Sequence, residues 1–241
     1  NQIGFNPTSI LTISIILFNI SKRINQRILV SNFCPLIEAV AQFSIMSFKD
    51  FSDQQNVAEN VISFWPNIET ILYYEEAAPI REIVGPKLFD IYSVYIEFLL
   101  NEITNPDELS KNRIIDIDNF DNKVSTFISP IQSFLNLDTE KVYGHLMEVY
   151  HSKKTEFEQC LSNGENLENV QKQIAIFIQI FTKLLQSKPY NERGSENNKI
   201  FVESFSEIFS LIQMTNEPLS QRVLFPEIDI SLYIFISIFP K

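Results

Sequence analysis

Residues 171–187 read QKQIAIFIQIFTKLLQS, and this stretch decides the fold class. Together with the residues just before it, it places an apolar side chain at almost every third or fourth position: Leu167, Val170, Ile174, Phe177, Ile178, Phe181 and Leu185. That spacing puts the apolar side chains on one face of an α-helix, whereas a half-buried strand would alternate apolar and polar residues. The stretch therefore predicts a long helix that buries a broad face.

The same helical period extends over most of the 241 residues. It predicts helices at about 8–20, 35–49 and 56–75, one after Pro86, one from Asp138 to Gly164, one around 201–212, and a last one within about 217–238. We expect Pro86 in a first helical turn, Asp138 as an N-cap and Gly164 at a helix end. Residues 228–234 alternate apolar and polar types, but a strand there would have no partner, so we expect a helix.

The expected buried faces and the short connectors predict how these helices pack. The faces consist of Leu88, Ile91, Tyr95, Phe98 and Leu99; of Tyr143, Met147, Tyr150, Phe157 and Leu161; and of Phe201, Phe205, Ile208, Phe209 and Ile212. Short connectors make sequential helices antiparallel, and broad faces suit helices that pack on a partner and on the next pair. We therefore predict an all-α fold, an α-solenoid (superhelix) of irregular HEAT-like antiparallel helix pairs, in preference to a closed bundle.

One partial array of repeats is expected to occupy residues 1–241. The chain begins with Asn1 rather than methionine, so we expect a fragment of a longer protein, whose terminal helices expose faces that further repeats would cover. The segment at about 101–122 differs from its surroundings in composition, because it contains six acidic residues and only two basic ones, Lys111 and Arg113. It lacks the turn glycine and the terminal glutamate of a calcium-binding EF-hand loop. We expect an acidic, solvated inter-helix loop, or else a docking site for a basic partner.

Composition excludes several classes of function. The net charge is −11, from 30 acidic and 19 basic residues, and the chain has no basic face for the phosphates of nucleic acid. The apolar runs Ile10–Phe18 and Ile228–Phe239 are too short and too interrupted to span a bilayer. We therefore expect no nucleic-acid binding and no membrane insertion, and the acidic balance suits a basic protein partner. Cys34 and Cys160 are isolated, which predicts neither a disulfide framework nor a zinc site.

No motif predicts a catalytic, cofactor or metal site. All five glycines are solitary, so no phosphate-binding loop is present. His145 and His151 are six residues apart on one predicted helix, and at that spacing they point to different sides and cannot bind one metal together. Lys153 and Lys154 fall near the middle of the same helix, where we expect a solvated face. We therefore expect no catalytic residue, no cofactor and no metal, and a protein that is not an enzyme.

The stretch 60–74, NVISFWPNIETILYY, contains the only tryptophan. Ile62, Trp65 and Ile68 begin an apolar helical stripe, but the residue before a proline is biased away from helical geometry. We predict a kink, or two helical pieces with Pro66 opening the second. Trp65 is then expected to pack at the joint between neighbouring repeats rather than to act as a platform for a ligand.

The order of several segments resembles a known family. In chain order, the segments are LIEAVAQFSIMSFKDFSD (36–53), NVISFWPNIETI (60–71), YSVYIEFLLNEI (92–103), HLMEVYHSKKTEFEQCLSN (145–163), QKQIAIFIQIFTKLLQS (171–187) and IFVESFSEIFSLIQMTNEPL (200–219). From Leu36 to Pro240 this succession resembles the middle HEAT repeats of the exportin-7 group of nuclear transport receptors, in the importin-β (karyopherin) superfamily. The exportin-4 group is a less close match. The chain departs from the family pattern at Pro66 and in the acidic segment.

The resemblance implies a receptor that carries protein cargo through nuclear pores in a manner governed by the GTPase Ran, and that shuttles between nucleus and cytoplasm. The implied partners are Ran in its GTP form, protein cargo and nuclear pore proteins. The family's main Ran-binding repeats lie upstream of the matched region, so no Ran-contacting residue is assigned. Two alternatives stay open: a solenoid scaffold or regulatory subunit without a transport role, and an all-α hydrolase or lipid-handling bundle with polar residues converging in a deep pocket.

Overall fold

The computed structural model describes residues 7–21, 34–50, 55–72, 78–104, 120–163, 167–186, 195–219 and 226–237. Within these ranges every element is an α-helix, and no strand occurs. The helices are α1 (Pro7–Ser21), α2 (Cys34–Asp50), α3 (Gln55–Ile62), α4 (Phe64–Leu72), α5 (Ala78–Thr104), α6 (Phe120–Leu137), α7 (Thr139–Asn163), α8 (Leu167–Gln186), α9 (Ser195–Leu219) and α10 (Pro226–Ser237). The all-α prediction is confirmed, and residues 228–234 lie in α10 rather than in a strand.

Local sequence signals set several helix ends. Asp138 caps α7, because its Oδ1 accepts a hydrogen bond from the backbone N–H of Lys141 at 3.2 Å, as predicted. Helix α7 ends at Asn163, and Gly164 lies outside the described residues. The predicted loop at 101–122 is helical at both of its edges, since α5 continues to 104 and α6 begins at 120. Its central residues, 105–119, lie outside the described part of the chain.

The prediction that Pro86 opens a helix is wrong. Helix α5 already begins at Ala78, and Pro86 lies in its interior. A proline lacks the N–H that would bond to the carbonyl four residues earlier, here that of Glu82. Glu82, Gly85 and Pro86 are all exposed, so water can solvate this side of the helix. The missing backbone hydrogen bond therefore lies on the solvent side of α5, and the helix continues past the proline.

The chain folds as two compact units. The first comprises Asn1–Glu102 and Asp107–Val142, and the second comprises Ile103–Pro106 and Tyr143–Lys241. The boundary falls in the first turn of α7, so most of that helix belongs to the second unit.

In the first unit, α2 and α5 run in the same direction. The ring of Phe48 lies 5.1 Å from that of Tyr95 and 5.5 Å from that of Phe98, between ring centroids. Nearer the start of both helices, Lys87 forms an ion pair with Glu38. Early residues of α2 thus meet early residues of α5, and late residues meet late ones, which requires parallel helices.

Helices α5 and α6 run in opposite directions. The hydroxyl of Tyr95 donates a hydrogen bond to the backbone carbonyl of Phe127 at 2.6 Å, near the start of α6. One turn earlier in α5, the ring of Tyr92 lies 5.9 Å from that of Phe134, near the end of α6. For this pair of sequential helices, the predicted antiparallel packing is confirmed.

The remaining helices of the first unit pack on one another. Helix α1 contacts α3 and α4, while α6 also contacts α3 and α4. We call α2 and α5 layer A, and α1, α3, α4 and α6 layer B. Each layer A helix also contacts a sequence neighbour in layer B, since α2 meets α3 and α5 meets α6, which is compatible with stacked helix pairs.

The second unit repeats this pattern. Tyr143 and Lys154 of α7 contact α9 at Ser204 and Glu207 respectively, again in the same order, so these two helices are parallel. Helix α8 packs on α7 through the ring of Tyr150 and makes extensive contact with α10. Within this unit, α7 and α9 lie side by side, as α2 and α5 do in the first unit, and α8 lies beside α10. The packing inside each unit is compatible with an α-solenoid.

Helix α8 is buried on nearly all sides. Every residue of its predicted stripe is buried except Leu167, which is half-buried, and the buried set extends to Gln171, Gln173, Gln179 and Thr182. The apolar stripe therefore correctly predicted a helix of the core, but α8 is buried on more sides than the single face that the stripe predicts. In α9 the prediction is wrong for Phe209, whose side chain is 49% exposed, although Ile208 beside it is fully buried.

Candidate interaction surfaces

Trp65 is a packing residue. Its side chain is 1% exposed, its indole N–H donates to Ser44 Oγ at 3.1 Å, and its ring meets that of Phe64 edge-on at a centroid distance of 5.3 Å. Ser44 belongs to α2, so the indole joins layer B to layer A. The prediction of a packed tryptophan is confirmed, and this side chain offers no surface to a ligand.

The predicted break near Trp65 is present, but it falls at Ser63 rather than at the proline. Ser63 is a turn between α3 and α4, and both its N–H and its hydroxyl donate to the carbonyl of Glu59, at 3.1 and 2.7 Å. Pro66 therefore lies in the first turn of α4, where a backbone N–H has no intrahelical partner and its absence costs nothing. Helical geometry at Trp65 is kept because the chain turns two residues earlier.

The histidine and cysteine side chains that the structure describes all lie on α7. In the described ranges, no group of three or more His, Cys, Asp and Glu side chains is placed to hold a metal ion. Of the two histidines, both on α7, His145 is half-buried and His151 is exposed. The thiol of Cys160 is half-buried, and Cys34 has no described side chain.

The interpretation of Lys154 as part of a solvated face is wrong. Its ammonium donates to Glu207 Oε2 at 2.7 Å and to Ser210 Oγ at 2.9 Å, and it lies 5.9 Å from the ring centroid of Tyr150. Only 15% of the lysine side chain and 21% of the glutamate side chain are exposed. The neighbouring Lys153 instead pairs within its own helix, with Glu156 at 2.8 Å.

A second polar contact between α7 and α9 lies nearer the start of α7. The hydroxyl of Tyr143 donates to the carbonyl of Ile200 at 3.3 Å and lies 3.2 Å from Ser204 Oγ. Burial, the main cause, raises the pKa of Tyr143 to about 12. Burial likewise raises the pKa of Tyr150, and the Glu207 carboxylate raises it further. These groups hold two parallel helices together, and sequence alone gives no sign of them because their partners lie more than 50 residues away.

Among the helices of the first unit, α1, α2 and α5 carry exposed side chains. In α3, α4 and α6, no residue with a described side chain is exposed. The outer face of α5, by contrast, presents Glu82, Asp90 and Glu97, and these acids fall within about 80° of one another around the helix, at about 100° per residue. They extend over about 22 Å of the helix axis. We call these three residues the acidic face.

The outer face of α7, a helix that lies mostly in the second unit, is polar but of mixed charge. Its exposed side chains include Glu140, Glu148 and Glu158, together with Lys141 and His151. Lys141 also lies over the ring of Phe89, 4.1 Å from its centroid. This face therefore differs from the acidic face in carrying exposed basic groups between its acids.

Six large hydrophobic side chains are exposed in the described part of the chain. They are Ile15, Ile16, Val202, Phe209, Tyr233 and Ile236. All of them belong to α1, α9 or α10, and no such side chain is exposed in the described residues from α2 to α8. Among the described residues, exposed large apolar side chains are therefore confined to these three helices.

No helix in the described ranges combines the length and the apolar character needed to cross a membrane. No model of a known protein family matches the chain, and neither a curated protein nor a solved structure shows significant similarity to it.

Proposed function

We propose that this chain binds another protein, and that the acidic face of α5 contacts a basic region of that partner. The observation that carries the proposal is the line of three exposed acids on α5. The described side chains of α3, α4 and α6 are covered, whereas α5 displays a line of three acids. A rigid helix with exposed carboxylates at regular spacing attracts and orients a positively charged surface. Binding of this kind needs no chemistry on the partner.

The net charge of −11 supports the same proposal, because a long-range negative potential speeds encounter with basic proteins. Lys87, three residues before Asp90 on the same helix, forms an ion pair with Glu38 of α2. The three acids of the acidic face are exposed, so a partner can reach their carboxylates.

The test reverses the charge of the acidic face in one variant, Glu82→Lys/Asp90→Lys/Glu97→Lys. A matched control changes the net charge equally on α7, with Glu140→Lys/Glu148→Lys/Glu158→Lys. Affinity for an array of lysine- and arginine-rich peptides should fall about tenfold or more in the first variant, and much less in the second. Equal losses in the two variants would show that net charge alone governs binding, and would reject the acidic face as the site.

At a finer level, we propose that the chain acts as a segment of a nuclear export receptor of the importin-β superfamily. The resemblance of its segment order to the exportin-7 group supports this, as does the parallel stacking of helices within each unit. In this proposal the pairs form a superhelix, the protein shuttles between nucleus and cytoplasm, and it contacts cargo and nuclear pore proteins. Ran bound to GTP would favour one curvature of the array, which requires only different affinities for two shapes.

The finer proposal predicts that the full-length gene product binds Ran–GTP at least tenfold more tightly than Ran–GDP, within the usual range of allosteric coupling. Surface plasmon resonance with Ran loaded with each nucleotide measures the ratio. Equal affinity for both forms would reject the exportin proposal and favour a solenoid scaffold or regulatory subunit. The acidic-face experiment is independent of this result.

A further inference from the structure

Three polar side chains form a hydrogen-bonded row between α4 and α6 of the first unit. The side-chain amide of Gln132 donates to Asn136 Oδ1 at 3.1 Å, and the side-chain amide of Asn136 donates to Glu69 Oε1 at 3.0 Å. Gln132 and Asn136 lie one turn apart on α6, whereas Glu69 belongs to α4. We call these three residues the amide–carboxylate row.

The row lies on the side of α6 that is turned away from α5. The ring of Phe134 contacts that of Tyr92 and so marks the side of α6 that faces α5. At about 100° per residue, Gln132 and Asn136 each lie about 160° around the helix from Phe134. Both are half-buried rather than fully covered. A partner can therefore reach the row without contacting the acidic face of α5.

Glu69 is a charged side chain with no described cation beside it. Only 9% of the residue is exposed, and the described hydrogen bond to its carboxylate comes from the neutral amide of Asn136. No ion pair between described residues includes Glu69, and no described side chain of α1, α3, α4 or α6 is basic. A carboxylate removed from water is costly unless opposite charge and hydrogen bonds compensate it. A cation would therefore complete this site.

The other end of the row needs a hydrogen-bond donor. Gln132 Oε1 is buried and has no hydrogen-bond partner among the described residues. Buried acceptors of this kind are rare, because an unmade hydrogen bond costs free energy. The amide nitrogens of Gln132 and Asn136 already donate within the row. The row therefore offers acceptors, a carboxylate and an amide oxygen, and calls for a ligand rich in donors.

An arginine side chain has the chemistry that both ends of the row need. Its guanidinium carries a positive charge and several N–H donors but no acceptor. It is also planar and more weakly hydrated than the ammonium of lysine, which suits it to a largely buried carboxylate. A metal ion fits less well: hard cations take many oxygen ligands, and the described residues place no group of acids here to supply them.

We propose that the amide–carboxylate row binds an arginine side chain of a partner protein. The guanidinium pairs with Glu69 and donates one of its remaining N–H groups to Gln132 Oε1. The half-buried position of Gln132 lets its terminal amide turn toward the ligand. This site uses other residues than the acidic face, so it goes beyond the contact proposed for α5 and stands independently of it.

Nuclear magnetic resonance of the whole chain, titrated with N-acetyl-arginine amide, tests the proposal. The side-chain amide signals of Gln132 and Asn136 should shift and saturate. The neutral citrulline analogue, which has nearly the same shape, should leave them in place, and the lysine analogue should bind about threefold more weakly or worse. Glu69→Gln keeps the shape of the side chain and should weaken arginine binding about tenfold or more.

A matched control removes a carboxylate elsewhere in the same unit. Glu97→Gln, at an exposed position of the acidic face, should leave the arginine-induced shifts of Gln132 and Asn136 unchanged. Shifts that disappear in Glu97→Gln but persist in Glu69→Gln would place arginine at the acidic face, which overturns this inference and supports the proposed contact of α5.

Three further outcomes would overturn the inference: no saturable shift of the two amides in the unmodified chain, equal binding of the citrulline or lysine analogue, and unchanged affinity in Glu69→Gln. Circular dichroism shows whether Glu69→Gln still folds. If it does not, Gln132→Met takes its place, because it removes the unpartnered oxygen from a half-buried position and should weaken arginine binding about threefold. Unchanged affinity in that variant would reject the proposed site.

Discussion

At the scale of single residues, Trp65 lies where a backbone preference set by Pro66 opposes the helical geometry that buries the indole. The proline after it disfavours helical geometry at the tryptophan. The chain instead turns at Ser63, so that Phe64, Trp65 and Pro66 all fit the first turn of α4. This turn allows the indole to be buried: Trp65 is the largest fully buried side chain, and its N–H donates a hydrogen bond to Ser44.

Trp65→Ala should lower the free energy of unfolding by roughly 3–5 kcal/mol, as truncation of large buried aromatics does. Urea denaturation followed by circular dichroism measures the change. Ser44→Ala, which leaves the indole N–H without this partner, should cost about 1–3 kcal/mol. Ile16→Ala, at an exposed position, serves as the control and should stay within about 0.5 kcal/mol. An unchanged stability in Trp65→Ala would contradict the packing role.

At the scale of elements, a partly buried ion pair joins two parallel helices, α7 and α9, of the second unit. Lys154 and Glu207 lie 53 residues apart in sequence and 2.7 Å apart in space, and both side chains are largely covered. Burying two charges is costly unless they are paired, so neither partner is stable there alone. Such a pair fixes the register of α7 against α9 more strongly than apolar contacts alone would.

A double-mutant cycle with Lys154→Met and Glu207→Gln should give a coupling energy of about 1–3 kcal/mol, because each single change leaves an unpaired buried group. The control is the pair Lys172–Glu168 within α8, in which the glutamate side chain is 74% exposed. That pair should couple by less than about 0.5 kcal/mol. Similar coupling energies in both cycles would show that the inter-helix pair is no stronger than a solvated one.

At the scale of the whole molecule, buried tyrosines occur in both units. Burial is the main cause that raises the pKa of Tyr92 and Tyr95 in the first unit, and of Tyr143 and Tyr150 in the second. The folded chain therefore keeps phenol protons at a pH at which the unfolded chain, with a tyrosine pKa near 10.0, releases them. The resulting stability is fully present below about pH 10 and is lost as the pH rises through the folded pKa values.

The chain should accordingly lose stability steeply as the pH rises above 10, in both units. Urea denaturation at several pH values between 8 and 12 measures the loss. In Tyr143→Phe the decline between pH 10 and about 12 should be shallower than in the unmodified chain, because one proton with a raised pKa is removed. An identical pH dependence in the two chains would contradict the burial of that hydroxyl.

The sequence by itself determined the helices. Apolar spacing predicted the stripe of α8, capping chemistry predicted Asp138, and the conflict at Pro66 predicted a break, because all three depend on residues within one or two turns. Pro86 was predicted to open a helix for the same reason, and only the structure shows that α5 begins at Ala78 and continues through the proline.

Tertiary structure decided everything that depends on distant residues. The pairing of Lys154 with Glu207, the burial of α8 on nearly all sides and the exposure of Phe209 each follow from which helices become neighbours. Periodicity shows that a helix has an apolar face, but it does not show how many partners cover that helix. The acidic face is therefore visible only after packing has buried the rest, and it is the surface to which the proposed function belongs.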